Sequence, residues 1–139
     1  MSDPLSATAA ALYSTLSGGT ALTSLLAGTA SIYDTQAPDG ASLPYVVFSH
    51  AGGGPDNQNA SDLENDVWWI RAYTESGMKA AYSIREQVDA LIHKKTLSPS
   101  GWTVLDCRRE TSVTTVENPP SGRRISVAGG LYRIRLGKS

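Results

Sequence analysis

A chain of 139 residues with 40% hydrophobic content has the length of one ordinary domain and enough apolar material for a core. A single cysteine, Cys107, excludes an intrachain disulfide, and no apolar run approaches the roughly 18 residues of a membrane-spanning helix. The pI of about 6.1 argues against a dedicated nucleic-acid binder, and the net charge of -1 hides a division: residues 1–70 hold seven acids and no Lys or Arg, whereas all 12 basic residues follow from Arg71 onward, against six acids.

That division has two readings. Both halves can mix within one compact fold, or acidic and basic faces can meet head to tail between copies, which builds a ring or a filament. The opening Met-Ser-Asp-Pro has no basic region before an apolar stretch, so no signal peptide is expected, and a protein soluble and cytoplasmic at synthesis is the simplest expectation.

In chain order, Asp3-Pro4 is a helix start, with Leu5, Ala9, Leu12 and Leu16 at helical spacing and Ser17-Gly18-Gly19 as the stop. Thr20 can cap a short second helix from Ala21 to Leu26. Ile32-Tyr33 is a brief apolar pair before the turn Ala37-Pro38-Asp39-Gly40. Tyr45 to His50 is β-branched and aromatic and reads as a strand, followed by a Gly- and Asn-rich connection over 51–61. Leu63 to Tyr73 reads as a long strand with Trp68, Ile70 and Ala72 on one face, so the two strands make a wide antiparallel hairpin.

From Ser76 to His93 the period switches to that of a helix, and Ala81, Ile84, Val88, Leu91 and Ile92 form its apolar stripe. Trp102 to Val116 and Ile125 to Leu136 each contain a strand, joined by the polar loop 117–124 with its Asn118-Pro119-Pro120 turn. The order helix, short helix, strand, strand, helix, strand, strand indicates one α+β domain over 1–139. Its expected form is an antiparallel or mixed sheet of about four strands with helices on one face.

The chemical motifs fail on mechanics. Gly52-Gly53-Gly54 precedes Pro55 and Asp56, with no lysine and no helix to cradle a phosphate. His50-Ala51-Gly52 resembles an esterase oxyanion loop, but no Gly-x-Ser-x-Gly elbow supplies a nucleophile, so a small hydrolase using His50 is a minor alternative. His93 suits a helix C-terminus, where partial positive charge is favoured. Cys107 reads as a small packed side chain, and the dispersed His, Cys and acidic residues have no metal-ligand spacing. No catalytic residue, metal or cofactor is expected.

Arg108, Arg109, Arg123, Arg124, Arg133 and Arg135 concentrate in the last hairpin. They could contact nucleic-acid phosphates, yet alternating arginines on a half-exposed strand are ordinarily solvated or paired with acids. The tryptophans Trp68, Trp69 and Trp102 read as core or interface anchors rather than nucleobase platforms.

The ordered pieces "ALYSTL" (Ala11–Leu16), "ALTSLL" (Ala21–Leu26), "IYD" (Ile32–Asp34), "AP" (Ala37-Pro38) and "LPYVVF" (Leu43–Phe48) resemble the tail completion, or tail terminator, family of long-tailed bacteriophages. "YTESGMKAAYSIREQVDALI" is similar to that family's helix after an aromatic-ended strand, and "GLYRIRL" (Gly130–Leu136) to its closing strand. The resemblance implies a structural virion protein at the tail-neck junction, without enzymatic activity. It implies a homomeric ring, usually a hexamer, that caps the tail tube, stops its polymerisation and offers a surface to the head connector, with DNA passing through the lumen without sequence-specific binding.

Self, the tail tube protein and the connector or stopper are then the partners, with no membrane involved; another neck ring is the close alternative. The Gly-rich and Arg-rich loops depart from the family pattern. They are the candidate assembly contacts, through Gly52, Gly53, Gly54, Asp56 and Asn57 in one and Arg123 and Arg124 in the other.

Overall fold

The computed structural model describes residues 3–28, 31–55, 63–120 and 122–138. Helix α1 (Pro4–Ser17) begins as its sequence requires: Asp3 accepts the Ser6 N–H at 2.8 Å, and Pro4 occupies the first turn, where no intrahelical N–H is needed. It buries Ala7, Ala11, Leu12 and Leu16, with Leu5 and Ala9 at the margin of the core. Helix α2 (Thr20–Thr23) is shorter than its apolar spacing suggests, and Gly19, not Thr20, is its N-cap. Its first turn is instead set by contact with helix α3 (Met78–Ile92), since a Cβ on Gly19 would lie 2.4 Å from Leu91.

Five strands form one mixed sheet, in the order β1-β2-β3-β5-β4. They are β1 (Ile32–Asp34), β2 (Tyr45–Pro55), β3 (Leu63–Thr74), β4 (Trp102–Glu117) and β5 (Ile125–Lys138). The fold is thus α+β, with one strand more than the sequence pattern indicated. The addition is β1, a three-residue strand lying parallel to Val46–Phe48. The remaining neighbours are antiparallel, so β3 and β4 both flank β5 and α3 carries the chain across from one to the other.

The expected alternation along β3 holds: Trp68, Ile70 and Ala72 are buried against the helices. Directly paired residues share a face, so Tyr132 opposite Trp68 and Ile134 opposite Asp66 point the same way. With Phe48, Trp102 and Leu136 they form the core under α1 and the Ile84, Val88 and Ile92 stripe of α3. Val47 and Val127 are buried too, but they lie on the other face and outside that cluster.

Candidate assembly surfaces

The glycine triplet does not form the loop expected of it. Strand β2 continues to Pro55, and Gly52, Gly53 and Gly54 pair with Val67, Asp66 and Asn65 after a bulge at Ala51. The bulge shifts the register, so the ladder resumes one residue later. Gly53 has φ 109°, and a Cβ there would fall 2.2 Å from the Asn65 carbonyl oxygen, so only glycine lets the two backbones approach at that point. Asp56 and Asn57, with the rest of 56–62, lie outside the described residues.

Beside the triplet, His50 Nε2 lies 3.1 Å from Oδ1 of Asp66, a carboxylate only 2% exposed, and the His50 ring stands edge-on to Trp68. No nucleophilic hydroxyl or thiol bonds to His50 among the described residues. The ring therefore serves as the partner of a buried carboxylate. Burial raises the Glu64 carboxyl above its ordinary range, and the charges of Asp66 and then Asp3 raise it further. Acids thus gather at this end of the sheet.

His93 caps α3, but its role differs from the expected macrodipole contact. Its Nδ1 accepts the Arg109 N–H at 3.0 Å, while the Lys94 N–H donates to the Cys107 carbonyl at 2.7 Å. The end of α3 is therefore stitched to the outer edge of β4. Cys107 is buried, donates its S–H to the Ile92 carbonyl, and burial with the Asp106 charge pushes its thiol up to about 12. It is inert packing, as its strand position indicated.

The arginines are mostly committed to acids. Arg109 pairs with Asp89 at 3.0 Å, beside the Tyr132 hydroxyl that donates to the same carboxylate. Arg108 pairs with Asp106, and Arg133 with Glu110. Arg123 makes a two-pronged contact with Glu75, whose carboxyl it holds below the ordinary range, and Arg124 is exposed nearby. Arg123, Pro119 and Ile125 face the 37–43 segment and Tyr45 across a hollow of about 360 Å³.

The two candidate segments are not brought together. Gly52–Gly54 lie opposite the start of β3, whereas Arg123 sits beside Glu75, just past its end. One marks each end of the sheet.

Two further surfaces escaped the sequence reading. On the face away from the helices, Tyr33, Tyr45 and Tyr73 form a row, with ring centroids 5.7 and 5.1 Å apart, and the Arg71 guanidinium lies over Trp69. Burial raises the Tyr45 and Tyr73 hydroxyls above their ordinary range. The signal was present in the hairpin register, which sets Tyr45 directly opposite Tyr73, but Tyr33 needed β1 to be known.

The second is the far half of β4. Thr111–Val116 contains no charged residue, and every position but Val113 is exposed.

The strand order shows where the two halves of the charge division lie. Residues before Arg71 build α1, α2, β1, β2 and most of β3, and those after it build α3, β4 and β5. The residues of the β1 side, Asp34 and Asp39 among them, include no base of their own, and every Lys and Arg except Arg71 belongs to α3, β4, β5 or their connections, although Arg123 reaches the 37–43 segment across the hollow.

Among the described residues no group of three or more His, Cys, Asp or Glu could hold a metal ion, and no helix is long and apolar enough to cross a membrane. No curated protein matches the sequence significantly. A solved chain from the virion of a native gene transfer agent particle shares the fold, with a TM-score of 0.71 over 92% of each chain at 16% identity. The model of the family described as Tail completion protein gp17 matches residues 10–128. The chain belongs to that family of structural phage tail proteins.

Proposed function

We propose that the protein forms a homomeric ring, a hexamer, at the tail-neck junction of a phage-like virion. There it caps the tail tube, ends its polymerisation and provides the surface on which the head connector or stopper docks. Membership in the tail completion family across residues 10–128 is the observation that carries this reading. The shared fold with a chain from a gene transfer agent virion supports it.

So does the placement of the two polar segments at opposite ends of the sheet, because a ring between tube and connector needs a contact on each rim. Gly52, Gly53 and Gly54, with Asp56 and Asn57, are proposed contacts at one rim, and Arg123 and Arg124 at the other. DNA crosses the lumen without sequence readout. No catalytic step or cofactor enters.

Loss of the protein from a producing strain should leave tails of uncontrolled length, seen by negative-stain microscopy. Finished tails of normal length left unattached to heads would instead mark a neck ring above the terminator.

A further inference from the structure

Exposed strand edges present unpaired N–H and C=O groups to any chain that can add to them, and proteins ordinarily blunt them with bulges, charges or covering loops. Strand β4 is treated in two ways along its length. Its first half carries a bulge at Leu105, and His93 and Lys94 cover the edge by bonding to the Arg109 N–H and the Cys107 carbonyl.

Beyond a second bulge at Glu110, Thr111-Ser112-Val113-Thr114-Thr115-Val116 has β5 on one side and no strand on the other among the described residues. It holds no charge and no proline, and Val116 is 45% exposed. Such a β-branched edge is suited to pairing with another strand.

The opposite margin of the sheet is β1, whose outer side likewise has no strand beside it among the described residues. The ladder puts the two edges on the same rungs. Ser112 lies opposite Gly130, then Ile70, Phe48 and Asp34. Val113 leads in the same way through Gly129, Arg71 and Val47 to Tyr33, and Thr114 through Ala128, Ala72 and Val46 to Ile32. β1 and β4 run antiparallel, so a copy placed alongside in the same orientation meets this one edge to edge.

We propose that Ser112–Thr114 of one copy pairs with Ile32–Asp34 of a second copy, so that the sheets of successive subunits run on into one another. This rests on the ring reading above and names its subunit contact. The join is heterologous, as ring closure requires, because two different edges meet. On the face away from the helices Val113 comes against Tyr33, which extends the Tyr33-Tyr45-Tyr73 row into the neighbour. Charge is compatible with the join, since the β1 margin offers Asp34 and most of the chain's bases belong to α3, β4, β5 and their connections.

Lysines on an edge oppose strand addition without disturbing an exposed monomer surface. S112K/T114K is therefore expected to melt like the unmodified protein while ring formation, read by light scattering with tail tubes present, weakens at least about tenfold. Independently, Y33C/V113C should give disulfide-linked ladders on oxidation of rings, with Cys107 too buried to interfere.

Rings of S112K/T114K at unchanged concentration, or oxidised Y33C/V113C rings that yield only monomers, would overturn the proposal while leaving the ring intact. Rings of S112K/T114K that form normally but no longer join tubes would assign the edge to the tube protein instead. An unmodified protein that stays monomeric on tail tubes overturns the ring reading itself.

Discussion

His50, the minor catalytic alternative, and Cys107, read as packing from the outset, both sit in the packed structure, and each has a measurable consequence. Asp66 is buried on the core side of β3 with His50 as its hydrogen-bonded partner. Removing His50 leaves that carboxylate without the bond, at a cost of about 1–3 kcal/mol. His50→Ala should therefore lower the unfolding free energy, read by urea titration, by about that amount while tail assembly below the melting range persists; lost assembly at full stability would restore a functional role. Cys107 has a thiol pushed up to about 12, from an ordinary value of about 9, by burial and the Asp106 charge. The folded state thus favours the neutral thiol. Its contribution to stability is complete below about pH 9 and is lost as pH rises toward about 12. Thiol-reagent labelling at pH 8 should be slow in buffer and fast in urea, and equal rates would contradict the burial.

At the scale of elements, the glycine triplet separates backbone need from mere openness. Gly53→Ala must place a Cβ against the Asn65 carbonyl from a positive φ, which costs on the order of 1–3 kcal/mol or more. Gly52→Ala and Gly54→Ala meet nothing within 4 Å and should cost under about 1 kcal/mol. Urea titration of the three variants checks the ranking, and equal costs would mean that the Gly53 conformation is not obligatory.

The same triplet shows where sequence reasoning stops. Alternation in Trp68, Ile70 and Ala72 and the 3.6-residue stripe of α3 were readable because each element carries its own period. Gly52–Gly54 have no side chains to alternate, and they are strand only because β3 is long enough to pair with them after the Ala51 bulge. Ile32–Asp34 is a strand only because β2 lies beside it, and three residues hold no period. For the candidate contacts, the Arg-rich turn was visible as composition, whereas the Tyr33-Tyr45-Tyr73 row and the shared rungs of β1 and β4 depend on register.

For the whole molecule, the strand order carries the sequence asymmetry into space in part, with most bases on α3, β4, β5 and their connections, while Arg123 reaches back to the acidic 37–43 segment. Many of those bases are already paired internally, Arg109 with Asp89 and Arg133 with Glu110 among them, so they contribute little to a neighbour. What remains between subunits is a few exposed pairs, each worth about 0–1 kcal/mol and screened beyond about 10 Å at 0.1 M salt. Strand pairing and the packing of Val113 on Tyr33 respond far less to salt. Ring formation is therefore expected to weaken by a modest factor, about tenfold or less, between 50 and 500 mM salt without being abolished, as light scattering across a concentration series would show. A ring indifferent to salt would assign the contact to strand pairing and apolar packing alone, and dissociation at 500 mM would make the charged flanks its principal bond.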